Sequence, residues 1–213
     1  MGKLEMIVKR IPRVDQGLVE RTQKRLDGLT KPQGSLGRLE ELAKRVVGIS
    51  GKEDISLANK VIFTLAADHG VTEEGVSPYP KEVTAQMVYN FVRGGAAINV
   101  LAAHVGARVV VADVGVAADV TPSPQLYIKK VGRGTQNMAR GPAMSRQDAI
   151  RSIETGIELL DEEYAKGIDI IGTGEMGIGN TTASSALTAA FTGVSLESIT
   201  GRGAGLDNAG LLR

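Results

Sequence analysis

Ile168-Asp169-Ile170-Ile171-Gly172-Thr173-Gly174-Glu175-Met176-Gly177-Ile178-Gly179-Asn180-Thr181-Thr182 is the stretch on which the fold turns. Ile168 to Ile171 is a short run of mostly β-branched apolar residues, the pattern of a strand covered on both faces. Glycines then punctuate residues 172–179, and an Ala/Ser/Thr-rich helix is expected from about Asn180 to Thr192. Strand, glycine loop and helix in that order make the βα unit of a parallel sheet. A helix start of this kind offers free backbone N–H groups, the positive end of the helix dipole and the hydroxyls of Thr181 and Thr182 to a phosphate. The alternative is a glycine turn that only lets the helix pack on the sheet.

The same grammar repeats upstream. Val61 to Ala66 and Val109 to Ala112 read as two more buried strands, and Leu126 to Val131 as a less regular one. Helices are expected through Val83, Met87, Val88 and Phe91, and from about Ala96 to Val105. A longer one is capped by Ser145 and Asp148 and ends at Gly167, with Ile150, Ile153, Ile157, Leu160 and Tyr164 on one face. Alternating strands and helices argue for a mainly parallel sheet with helices on both faces. The first part of the chain is different. Asp15 caps a helix over 15–29, and Ser35 caps a second whose Leu39, Leu42, Ala43, Val46 and Val47 form an apolar stripe. The expected division is a helical part, 1–55, and an α/β nucleotide-binding domain, 56–213.

Composition narrows the chemistry. With 213 residues, 42% hydrophobic and 23% charged, the chain is ordinary globular material, and 25 basic against 24 acidic residues gives +1. Nothing in that balance calls for nucleic acid or an anionic membrane. Cys is absent and only His69 and His104 are present, which removes thiolate nucleophiles, zinc ribbons and a histidine-built metal site. No apolar run approaches the ~20 residues needed to span a bilayer, and residues 1–15 lack the apolar core of a signal peptide, so a cytoplasmic protein is expected.

In open α/β sheets ligands bind beyond the carboxyl ends of the strands. Three loops fall there: Asp68 to Pro80, Asp113 to Asp119, and Gly172 to Gly179. Gly172-x-Gly174-x-x-Gly177 formally matches a dinucleotide fingerprint, but Val194 to Thr200 reads poorly as the strand that should follow. Gly174-x-x-x-x-Gly179 imitates a P-loop, with Asn180 where the lysine is required. His69 is either a general base or a histidine that shapes its loop, and His104 reads as structural. Glu175, a carboxylate inside a phosphate loop, needs a positive substrate group or a ribose hydroxyl to engage, or else faces solvent or an arginine. Lys129, Lys130 and Arg133 read as a solvated basic edge. Arg202, in the glycine loop 201–205, is a possible phosphate partner.

A wider set of segments carries a family resemblance. They are Leu29-Thr30-Lys31-Pro32-Gln33-Gly34-Ser35-Leu36-Gly37-Arg38-Leu39-Glu40, Asp68-His69-Gly70-Val71, Gly75-Val76-Ser77 and Val83-Thr84-Ala85-Gln86-Met87. Gly134-Thr135-Gln136-Asn137-Met138, Gly174 through Thr182, and Gly201-Arg202-Gly203-x-Gly205-Leu206-Asp207 complete it. In this order and spacing the chain resembles the nicotinate-nucleotide–dimethylbenzimidazole phosphoribosyltransferase family, from about residue 12 onward. The resemblance implies a Rossmann-like domain, a small helical domain and a homodimer. It implies transfer of ribose 5-phosphate from nicotinate mononucleotide to 5,6-dimethylbenzimidazole, an activity of cobalamin lower-ligand assembly that uses no metal or cofactor. Gly174, Glu175, Met176, Gly177, Ile178, Gly179, Asn180, Thr181, Thr182 and Gly203 would hold the nucleotide, with Glu175 as a supporting carboxylate. Ser77, Pro78, Tyr79, Pro80 and Gln86 would line the benzimidazole slot. Family members are longer, and the resemblance puts their general base, a glutamate, and their closing helices beyond Arg213. Two other functional readings are a nucleotide-binding fragment without turnover and a simple NAD-binding domain.

Overall fold

The computed structural model describes residues 2–212, which divide into two compact units with the boundary after Ala58. Arg213, past which the resemblance puts the general base, lies outside the described residues. The first unit holds α1 (Lys3–Arg10), α2 (Gln16–Asp27) and α3 (Arg38–Ser50). α1 falls in a segment for which the sequence pattern predicted no element. Asp15 caps α2 as expected, its Oδ1 accepting the Leu18 N–H at 3.0 Å. α3 faces its neighbour differently from the expected stripe. Leu39 and Leu42 are 63% and 49% exposed, while Glu40, Val47 and Gly48 are buried. The reason lies at Gly48, where a Cβ would stand 2.7 Å from Val19 and 2.9 Å from Val14, so the glycine lets α3 come close along that line. Glu40 tolerates burial because Lys31 Nζ donates to it at 2.8 Å and the Leu36 N–H at 3.2 Å. The Lys31 hydrogen bond holds its carboxyl below the usual carboxylate range.

The second unit is the parallel α/β body. β1 (Lys60–Ala67), β2 (Ala107–Gly115), β3 (Leu126–Ile128) and β4 (Ile170–Met176) form one sheet in the order β3-β2-β1-β4, every neighbouring pair parallel. The helices are α4 (Val83–Val92), α5 (Ala97–His104), α6 (Arg146–Tyr164), α7 (Asn180–Thr192), α8 (Leu196–Ile199) and α9 (Asn208–Leu212), with a 3-10 turn at Gly70–Glu74. Alternate residues of the strands serve opposite faces. Ala66 and Val111 pack with Val88 and Phe91 of α4 on one face, while Val61, Phe63, Val110 and Ala112 pack with Leu159 of α6 on the other. That two-sided burial is why the strands read as continuous apolar runs.

Three expectations for this body change. β2 runs on to Gly115, so Asp113 is a strand residue and not the start of a loop. β4 runs from Ile170 to Met176, so Gly172, Thr173, Gly174 and Glu175 pair with Ile62, Phe63, Thr64 and Leu65 instead of forming a loop. Here the glycines serve close packing: a Cβ on Gly174 would lie 3.0 Å from the Phe63 carbonyl oxygen. On α6 the buried line is Thr155, Leu159 and Glu163, and Ile153 and Tyr164 are exposed. A buried acid rotated the helix away from its apolar stripe. Tyr127 Oη and Lys166 Nζ reach Glu163 at 2.5 and 2.7 Å, and Arg108 also donates to it. Burial alone would raise the Glu163 carboxyl, but these three donors outweigh it and hold the pKa at about 2.

Candidate active site

The chain builds β1, β2 and β3 outward in one direction, then returns to place β4 on the other side of β1. A crevice therefore opens beyond the carboxyl ends of β1 and β4, the place where such sheets take ligands. The β1 end delivers Asp68 and His69. The β4 end delivers Glu175, a turn at residues 177–179, and the first turn of α7.

The turn is more closed than its glycines suggest. Gly177, Ile178 and Gly179 are all buried. A Cβ on Gly177 would collide with the Ala67 carbonyl oxygen and lie 3.0 Å from the His69 ring, and Gly179 adopts φ +86°. Both glycines are thus explained by packing and conformation. The Ile178 N–H donates to Thr84 Oγ1 at 3.1 Å, and the Asn180 N–H to the Gly177 carbonyl at 3.1 Å. Those two donors are spent inside the protein. Thr181 and Thr182 are different: they sit in the first turn of a 13-residue helix, where N–H groups have no acceptor within the helix.

A cavity of about 340 Å³ opens at that first turn, lined by Val76, Thr181, Thr182, Ser185, Gly201 and Gly203 among others. It joins three segments named from the sequence: the loop after Gly75, the start of α7 and the glycine loop 201–205. Gly203 adopts φ +52°, and a Cβ there would lie 3.5 Å from Thr181 Oγ1. Arg202 donates to Asn208 Oδ1 at 2.5 Å. Of the residues expected to hold a nucleotide, Thr181, Thr182 and Gly203 converge on the cavity. Gly174 lies within β4, and Met176 packs against the core beneath α4. Glu175 stands outside the cavity lining, exposed at the strand end, and desolvation raises its carboxyl pKa. Ser77, Pro78, Tyr79, Pro80 and Gln86 also stand outside the lining. Tyr79 and Gln86 are exposed, and Ser77 Oγ accepts the Tyr79 N–H at 3.2 Å.

A second cavity, about 670 Å³, lies at the ends of β1 and β2, with Asp68, His69, Arg133, Gln136, Ser145 and Asp148 in its wall. The sequence reading named the loops from Asp68 and Asp113 as ligand loops and His69 as a possible base, and Gly134 to Met138 stood out as a motif. Its role is to hold Asp68-His69-Gly70 in place. The Gly70 N–H donates to Thr135 Oγ1 at 3.2 Å and the Thr135 N–H to the Asp68 carbonyl at 3.0 Å. Asn137 Nδ2 reaches Glu74 Oε1 at 2.6 Å. A Cβ on Gly70 would stand 2.6 Å from the Asn137 nitrogen, so the two segments cross in near contact. His69 is half-buried, and desolvation lowers its pKa, with Asp68 opposing in part.

The loop that follows β2 is held internally. Lys130 Nζ lies 3.0 Å from the fully buried Asp113 Oδ2 and donates to the carbonyls of Val116 and Ala118 at 2.5 and 2.6 Å. Arg133 binds the Ala117 carbonyl at 2.9 Å and Asp119 at 2.6 Å. Of the basic residues expected to form a solvated edge, Lys130 and Arg133 staple this loop, Arg133 staying exposed, while Lys129 pairs with Glu162 of α6 at 2.6 Å. Among the described residues no group of acids and histidines is arranged to hold a metal, and no helix is long and apolar enough to cross a membrane.

Comparison with known proteins agrees with this architecture. The profile of a family described as phosphoribosyltransferase matches residues 11–213. The chain is 56% identical over 213 residues to nicotinate-nucleotide–dimethylbenzimidazole phosphoribosyltransferase of Geobacter metallireducens, covering 100% of this chain and 60% of that protein. The protein of the same name from Geobacter sulfurreducens is 54% identical over 211 residues, with 99% and 60% covered. The crystal structure of CobT from Thermus thermophilus superposes with a TM-score of 0.89 at 45% identity, covering 92% of this chain and 59% of that one. The chain thus spans about 60% of the length of the curated relatives it matches. These relatives are longer than this chain, as expected of the family's members.

Proposed function

The chain belongs to the family of nicotinate-nucleotide–dimethylbenzimidazole phosphoribosyltransferases, and from that premise we propose that it forms the nucleotide-holding part of an enzyme that transfers ribose 5-phosphate from nicotinate mononucleotide to 5,6-dimethylbenzimidazole. The observation that carries the reading is the convergence of Thr181, Thr182 and Gly203 on one cavity at the start of α7. Two threonine hydroxyls and unpaired first-turn N–H groups at the positive end of a helix suit a 5′-phosphate.

The chemistry follows from the leaving group. The pyridinium nitrogen already carries positive charge, so the C1′–N bond breaks with its electron pair leaving on that nitrogen. One benzimidazole nitrogen forms the new bond to C1′, and the proton on the other passes to a base. The products are α-ribazole 5′-phosphate and nicotinate. Charge that develops on the ribose is stabilised by a nearby carboxylate, the role given to Glu175. The loop from Ser77 to Pro80, with Gln86 on α4, is assigned the flat heterocycle, and Gly174 through Asn180 shape the turn that aims α7. A symmetric homodimer in the cytoplasm is part of the proposal.

Isothermal titration with nicotinate mononucleotide, repeated with NAD, tests it. Mononucleotide binding that weakens in Thr181→Ala is the expected result. Tight NAD binding with no response to the mononucleotide would replace this reading with a dinucleotide-binding domain. Gly177→Val would be a poor test, because its side chain collides with β1 whether or not a phosphate binds.

A further inference from the structure

Thr84 lies on α4, two residues before Gln86, and is fully buried. Its Oγ1 accepts the Ile178 N–H at 3.1 Å across 94 positions of sequence. Ile178 is itself buried, in the turn that leads into α7. This hydrogen bond therefore ties the helix assigned to the heterocycle to the turn that aims the helix assigned to the phosphate. Apolar packing beneath it involves Val88, Phe91 and Met176. Without the hydroxyl, the Ile178 N–H would be left buried and unpaired, a state folded proteins avoid.

We propose that Thr84 is a positioning residue that couples the two substrate subsites, so that occupancy of one tightens the other. The proposal rests on the function assigned above. Binding of the heterocycle against the loop before α4 restrains that helix. The restraint passes through Thr84 to Ile178 and on to the first turn of α7, where the phosphate binds. Linkage makes the effect reciprocal: whatever factor the heterocycle contributes to mononucleotide affinity, the mononucleotide returns.

The test measures mononucleotide affinity with and without 5,6-dimethylbenzimidazole in the full chain and in variants. In the unaltered chain the heterocycle should tighten the mononucleotide about tenfold, within the usual range of site–site coupling. Thr84→Val keeps the shape of the side chain and removes the acceptor, and the coupling factor should fall to near one. Thr84→Ser restores the acceptor and should restore the coupling. A merely structural threonine would lower melting temperature in Thr84→Val yet leave the coupling factor intact, and that result overturns the proposal. If Thr84→Val does not fold, hydrogen exchange of the Ile178 amide in the unaltered chain decides. Slower exchange with either ligand supports the coupling, and exchange indifferent to both overturns it. Absence of any mononucleotide binding to the unaltered chain would instead overturn the assigned function, and this inference with it.

Discussion

β1 and β4 are hydrogen-bonded neighbours in one sheet, yet they live in different surroundings. β1 buries Val61, Phe63, Thr64 and Ala66, with helices over both faces. β4 buries none of its seven residues, and Ile170 and Ile171 are each more than two-fifths exposed. The helices repeat the contrast: α4 buries Thr84, Val88 and Phe91, whereas α7 buries nothing. Stability is therefore concentrated in the β1–β2 half, and the elements assigned to the ligand lie in the half with the least packing. Regions that bind are commonly drawn from the less stable part of a fold. The two halves meet at the buried turn 177–179, where Ile178 is held by Thr84.

Truncating one core residue on each side tests that contrast with the largest effect. Leu159→Ala removes a fully buried side chain from beneath the sheet and should cost about 2–4 kcal/mol in denaturant unfolding. Leu187→Ala on α7, 57% exposed, should stay within about 0.5 kcal/mol. Equal losses would erase the distinction between the halves.

The Glu163 cluster sharpens it next, since it anchors α6 to the β2 side through Arg108 and Tyr127. Glu163→Gln should cost about 2–3 kcal/mol, less than a fully buried pair, because Arg108 and Lys166 keep contact with water. The folded pKa of about 2 lies below the ordinary 4.5. The stabilisation is thus fully present above pH 4.5 and drains away as pH falls toward 2. Melting temperature followed over that range should fall more steeply in the unaltered protein than in the variant.

Effects on the ligand side should be small for stability and visible in binding. Thr181→Ala should leave unfolding nearly unchanged while weakening nicotinate mononucleotide by about tenfold or more, the worth of one lost hydrogen bond to an anion. Smallest of all, Phe191→Ser replaces an aromatic that is 84% exposed on α7. It should shift stability by less than about 0.5 kcal/mol and reduce self-association seen by sedimentation.

Strands covered on both faces were legible from their apolar runs, and the caps of α2 and α6 from Asp15 and Ser145. The buried faces of α3 and α6 were not, because each buries a glutamate whose partners lie far off in sequence or outside the helix. Apolar periodicity assigns such a residue to solvent. Gly172 and Gly174 pointed to a loop because glycine usually breaks a strand, whereas here both lie in β4, and at Gly174 the Phe63 carbonyl of β1 sits too close for a larger side chain. The first part of the segment assigned to the nucleotide is therefore strand, and the proposed contacts move toward α7. Local pattern has no access to Thr84, which occupies the Ile178 donor and leaves Thr181 and Thr182 as the open end of the helix.

Backbone amide shifts on titration with nicotinate mononucleotide test the placement of the ligand most directly, since the cavity at the start of α7 and the one at the ends of β1 and β2 are lined by different amides. Shifts concentrated at Thr181, Thr182 and Gly203 are the expected result, with the buried Gly177 amide moving less. Shifts concentrated at residues 132–145, in the wall of the larger cavity, would contradict it and move the binding site to the other side of β1.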